Sequence, residues 1–154
     1  MELDYKKILL KTAVAAMTSD GVIDDREIIA LKEIEKSSPY FSEDDLLQDL
    51  ESLMNEASKD NNLFIENTLV EIRNSTLTTI EELTLLEVSL TIIEADDIIE
   101  DSEKEFIIKL RDELQVDDFI LSRRFGTISY LGIEYEKQSF DELDDESLTQ
   151  QGTK

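Results

Sequence analysis

Apolar and polar positions alternate along this chain with the period of a helix, most clearly between Ile80 and Ile93. Ile80, Leu83, Leu85, Leu86, Val88, Leu90, Ile92 and Ile93 are apolar, while Thr84, Glu87, Thr91 and Glu94 recur at steps of three, four and three. On a helix those four polar residues form one narrow stripe, and most of the remaining surface is apolar. Such a segment predicts a central helix with others packed around it. Glu94-Ala95-Asp96-Asp97 then breaks the pattern. A second periodic run follows through Phe106, Ile107, Leu110 and Leu114, opened by Glu100 and Asp101. Acids at that place suit the positive end of a helix dipole.

The rest of the chain reads the same way. A first helix is predicted from about Asp4 to Thr18, with Ala13, Ala15 and Ala16 permitting close approach of a neighbour. Thr18-Ser19-Asp20-Gly21 is a turn, and Gly21 is the residue best able to take a positive φ. Asp24-x-x-Glu27 has capping-box spacing and opens a second helix that ends near Ser37-Ser38-Pro39. A third helix is predicted over about 42–58 and a fourth over about 63–73, separated by a break at Asp60-Asn61-Asn62. A turn at Gln115-Val116-Asp117 precedes a seventh helix from about Asp118 to Phe125, with Leu131 as the alternative end. From Glu134 to Lys154 seven acids face two bases and few apolar residues remain. Residues 1–133 are therefore read as one helical domain and 134–154 as a flexible acidic tail.

Sliding the chain by the interval from Asp20 to Asp96 superimposes two strings. Val22-Ile23 meets Ile98-Ile99, Asp24 meets Glu100, Asp25 meets Asp101, Glu27 meets Glu103 and Leu31 meets Ile107. A helix–acidic turn–helix unit thus occurs twice, which predicts a pseudo-symmetric helical bundle.

The strings Ala15-Ala16-Met17-Thr18-Ser19-Asp20-Gly21-Val22-Ile23-Asp24-Asp25-Arg26-Glu27 and Glu94-Ala95-Asp96-Asp97-Ile98-Ile99-Glu100-Asp101-Ser102-Glu103 resemble the TerB family of tellurite-resistance proteins. They also resemble related TerB-like domains, among them one in a membrane-anchored J-domain co-chaperone. The family hallmark is Ala-Asp-Gly-x-Ile-x-x-x-Glu in each half. Here Ser19 stands where Ala is usual, and Asp97 where Gly is usual. The resemblance spans about Asp4 to Asp118. It implies an all-α domain of roughly seven helices, with two pseudo-repeated units around a central apolar helix. It further implies a cytoplasmic stress-response protein of the tellurite or metal-ion resistance type, working beside a protein partner that can be membrane-associated. No catalysis is implied, and the paired acidic turns are implied as a metal-binding surface.

Composition narrows the chemistry. The 154 residues include no Cys and no His, which removes disulfides, thiolate sites and the commonest general base and metal ligand. The formal net charge is −23. Such a field repels nucleic acid and anionic lipid and attracts cations and basic protein surfaces. No stretch reaches the roughly 20 apolar residues needed to span a bilayer.

The candidate site is the set Asp20, Asp24, Glu27, Asp96, Glu100 and Glu103. If the pseudo-symmetry brings the two turns together, these carboxylates can surround one hard divalent cation, calcium first, since calcium takes six to eight oxygen ligands. Asp20 to Glu27 matches the second half of an EF-hand loop. The first position of such a loop would be Ala16, or Ile92 in the second copy, so a tight EF-hand is not expected. The alternative is structural: Asp20, Asp24 and Asp96 cap turns or helices, while Glu27 and Glu103 close capping boxes. Glu87 and Glu94 read as a polar seam, and Arg123-Arg124 as a basic pair matched to local carboxylates. The function expected is a non-enzymatic module that docks a cation or a partner at the turns. The alternatives are an acidic inhibitor or DNA mimic seated in a basic groove, and a carboxylate-metal hydrolase.

Overall fold

The computed structural model describes residues 2–21, 25–37, 43–96 and 98–133. Seven α-helices account for most of them: α1 (Glu2–Thr18), α2 (Asp25–Ser37), α3 (Glu43–Lys59), α4 (Asn61–Arg73), α5 (Thr79–Ile93), α6 (Asp101–Asp112) and α7 (Asp118–Phe125). A 3-10 turn, Glu94–Asp96, follows α5, and another, Ser129–Leu131, follows α7. No strand occurs among the described residues; one isolated bridge joins Ile128 and Ile133. The fold is all-α, as the periodicity predicts. No helix among the described residues is long and apolar enough to cross a membrane.

Local chemistry explains the helix starts. Thr78 and Glu81 form a reciprocal capping box at α5: the Glu81 N–H donates to Thr78 Oγ1 at 3.1 Å, and the Thr78 N–H donates to Glu81 Oε1 at 2.9 Å. The Asp60 carboxylate accepts from the Leu63 N–H at 3.1 Å, so α4 begins at Asn61 and the predicted break shrinks to its cap. Asp117 caps α7 through the Ile120 N–H. α7 stops at Phe125, the nearer of its two expected ends, where Gly126 takes φ +77° and redirects the chain.

The chain divides into two compact units, Met1–Gln115 and the segment from Val116 onward. In the first unit α1 and α5 lie against each other and share the centre. α1 also contacts α2, α3, α4 and α6, while α5 also contacts α2, α6 and the 3-10 turn that follows it. The central role that the sequence assigns to α5 is therefore divided between two helices. The small side chains of Ala13, Ala15 and Ala16, all fully buried, let α1 take its half. The polar stripe on α5 is open at its C-terminal end, where Thr91 and Glu94 are exposed, while Thr84 and Glu87 are half-buried. Leu9 and Leu85, Leu10 and Leu86, and Leu31 and Ile107 are buried at equivalent places in the two repeats.

In the second unit, the described part holds α7, the Ile128–Ile133 bridge and the buried residues Val116, Leu121, Ser122, Ile128 and Ile133. The Arg124 guanidinium lies 5.3 Å from the centre of the Phe125 ring, within cation–π reach. The expected acidic tail, 134–154, lies outside the described residues.

Candidate functional site

Each acidic turn is built at the end of one central helix. After α1, the Gly21 N–H donates to the Thr18 carbonyl at 2.8 Å, and Ser19 Oγ donates to the Ala16 carbonyl at 2.8 Å. Gly21 has φ +85°, the left-handed geometry its place in the turn predicts. After α5 the chain tightens into the 3-10 turn Glu94–Asp96 before α6 starts. The packing of the two repeats crosses over. α2 lies against α5 and its 3-10 turn, and Ser19, at the end of α1, lines one cavity with Ser102, at the start of α6. Each turn thus sits beside the helix that follows the other turn.

The candidate carboxylates divide into two kinds. Asp20 and Glu100 are exposed. Glu27 and Glu103 are buried, with 2% and 1% of their surface accessible. Glu103 Oε1 accepts the Glu100 N–H at 2.8 Å, so this side chain closes the N-terminus of α6 as capping-box spacing predicts. That bond offsets part of the cost of burying the Glu103 carboxylate. Asp24 and the side chain of Asp96 lie outside the described residues. Among the described residues no three acidic side chains converge into a set able to hold a metal ion.

Two features carry no motif in the sequence. The first is Glu82, buried in the first turn of α5. Both its carboxylate oxygens accept the Gln115 N–H, at 2.9 and 3.0 Å, and so tie the end of the first unit to the start of the central helix. An acid beside Leu83, Leu85 and Leu86 was the available signal, yet nothing local identifies its partner 33 residues away. The second is a cavity of about 120 Å³ between the end of α1, α4 and α6. Ile65 and Phe106 form its apolar part; Ser19, Asn62 and Ser102 add hydroxyl and amide groups; Glu66, Glu105 and Lys109 stand around it. On α6 these residues recur at helical spacing, but the cavity exists only because α4 lies alongside.

Ion pairs join α4 to its neighbours. Lys11 Nζ reaches Glu71 Oε1 at 2.9 Å, and Lys109 Nζ lies 3.7 Å from Glu66 Oε2. Arg73 and Glu113 form a two-point contact, Nε to Oε1 at 2.8 Å and Nη2 to Oε2 at 2.7 Å. That hydrogen bonding, aided by the Arg73 charge and opposed by partial burial, holds the Glu113 carboxyl below its ordinary range. The same hydrogen bonding, then the Glu113 charge, raises Arg73.

No protein-family model matches the chain, no curated protein is similar to it, and no solved structure matches its fold. The likeness to the TerB family rests on the two helix–acidic turn–helix strings alone.

Proposed function

We propose that this protein is a non-enzymatic, cytoplasmic stress-response module of the TerB type, which uses its two acidic turns to bind a divalent cation or to dock a protein partner. The observation that supports this reading is the crossed packing of the repeats, in which α2 lies against the second turn while Ser19 and Ser102 share a cavity. Asp20, after α1, and Glu100, before α6, are exposed and so open to a cation or a partner. The buried Glu103 then serves the frame, closing the start of α6 beside the exposed Glu100. In the cation form of the reading, Asp20, Asp24, Asp96 and Glu100 supply the oxygen ligands, with calcium the first ion to try.

The experiment is thermal unfolding in chelator, then with calcium, magnesium, manganese or zinc at matched ionic strength, on the native chain and on Asp20→Asn/Asp96→Asn. An ion bound only by the folded state at a hundred times its dissociation constant adds about 2.7 kcal/mol. An ion-selective, saturable rise that the double substitution removes establishes the cation site. A small rise, equal for all four ions and kept by the variant, refutes it.

A second reading has its own observation. Exposed carboxylates also run along α3, α4 and α6, at Glu51, Glu56, Glu66, Glu105 and Asp112 among others. Exposed acids spread over several helices suit a basic protein groove, as in an inhibitor or DNA mimic. Competition between this protein and duplex DNA for a basic partner distinguishes that reading from docking at the turns.

A further inference from the structure

We infer that the outer face of α7 is a docking surface for this chain's own acidic segment 134–146, with Phe140 against Phe119 and the neighbouring carboxylates against Arg123 and Arg124. The inference stands apart from the function proposed above and lies wholly within the second unit. α7 carries two apolar–basic pairs at a spacing of four, Phe119 with Arg123 and Ile120 with Arg124, so each pair shares a side of the helix. Phe119, Arg123 and Arg124 are exposed and Ile120 is half-buried, while Leu121 and Ser122, on the other side, are buried. Basic residues in the last turn of a helix complement its negative end, which accounts for the arginines. It does not account for Phe119, which leaves 56% of its surface open on the same helix. The Arg124 guanidinium lies over the Phe125 ring, and a guanidinium stacked by its face still offers its N–H edge to a carboxylate. An exposed aromatic ring with two guanidinium groups suits a ligand that is itself aromatic and acidic.

Segment 134–146 has that composition: seven acids and one base, with Tyr135, Phe140 and Leu143 among them. Its point of departure is fixed beside α7. The Ile128 N–H donates to the Ile133 carbonyl at 2.9 Å and the Ile133 N–H to the Ile128 carbonyl at 3.2 Å, and Ile128 stands three residues beyond the end of α7. From Ile128 back to Phe119 the chain path is at most about 20 Å, at about 3.5 Å per loop residue and 1.5 Å per helical one. Gly126 bends that path and shortens the direct distance. The seven residues from Ile133 to Phe140 span about 23–25 Å when extended, so Phe140 reaches Phe119. Single surface ion pairs are weak, but so short a tether gives an effective concentration of the order of millimolar. An acidic ligand from outside, or a second copy of the chain, lacks that advantage and meets a net charge of −23.

The test is paramagnetic broadening of amide NMR signals in the full chain. The sequence has no Cys, so Ser139→Cys provides a single place for a nitroxide. Strong broadening at Phe119, Arg123 and Arg124 is expected, and it should weaken as salt is added. Arg123→Gln/Arg124→Gln and, separately, Phe140→Ala should each lower the ratio of docked to undocked segment by about fivefold. The control Lys32→Gln/Lys59→Gln, which removes two exposed bases elsewhere, should leave it unchanged. Amide positions in α1 to α6 that match the native spectrum show that each variant is folded. Broadening that is the same in the native chain and in every variant would mean a coil held near α7 by its attachment alone, and overturns the assignment. Equal loss in the lysine control does so too. Broadening passed from a labelled chain to an unlabelled one in a mixed sample would make the occupant a second copy, which also overturns it.

Discussion

The Tyr5 hydroxyl donates a hydrogen bond of 2.8 Å to the backbone carbonyl of Glu81, a residue 76 positions further along the chain. That interval is also the one that superimposes Asp20 on Asp96. Tyr5 and Glu81 are therefore equivalent positions of the two repeats, and they touch. The helices that carry them, α1 and α5, are the two that lie against each other and share the centre of the first unit.

Removing this bond should loosen the pairing of the repeats. Tyr5→Phe keeps the ring and deletes the donor, at an expected cost of about 0.5–1.5 kcal/mol. Thermal unfolding should shift down by about 2–4 °C per kcal/mol. An unchanged midpoint would show that water replaces the hydroxyl at no cost.

Glu82 should matter more than an acid on a helix usually does. Glu82→Ala leaves the Gln115 N–H without its acceptor and should cost about 1–3 kcal/mol. Glu82→Gln keeps one carbonyl oxygen and should recover part of the loss. Hydrogen exchange at the Gln115 amide reports the contact directly, and fast exchange in the native protein would contradict it.

The Arg73–Glu113 contact gives stability a defined dependence on acid. Because the folded-state carboxyl of Glu113 is held below its unfolded value, its contribution is present above the unfolded value of about 4.3 and is lost as pH falls through the lower, folded one. Unfolding midpoints of the native protein and Arg73→Gln, compared from pH 7 downward, should differ at neutral pH and converge in acid. Parallel curves would mean that the pair contributes nothing. The pair is half open to solvent on the Arg73 side, so added salt should shrink the difference.

Gly21 should resist replacement for a backbone reason. A methyl group there would stand 3.6 Å from Asn61 Nδ2, an ordinary contact, so space is not the obstacle. The obstacle is φ +85°, which costs an L-residue about 1–2 kcal/mol. Gly21→Ala should be destabilising by about that amount, and Gly21→Asn by less, since Asn tolerates left-handed geometry. Equal midpoints for both variants would point to a turn that rearranges.

Much of this protein is local in origin and therefore legible from the chain. The periodicity of Leu85, Leu86, Ile92 and Ile93, the Gly21 turn and the capping-box spacing of Glu100 and Glu103 each act within a few residues. They determine the helices, most of their ends, and the existence of two related units. A helix boundary depends on which side chain can reach an adjacent backbone N–H, and sequence spacing decides that. Where the reading differed, at the start of α4, the cause was also local: an aspartate that caps instead of breaking.

Tertiary structure alone decided what lies across the helices. The pairing of Glu82 with Gln115, the meeting of Tyr5 with Glu81, and the cavity between Ile65 and Phe106 all depend on how far one helix is rotated and shifted against another. The burial of Glu27 and Glu103 is of this kind too, since an acid at a helix start reads alike whether it meets water or a neighbouring helix. Spacing along a chain records what shares a face, whereas the partner of that face is chosen by the packing of the whole core.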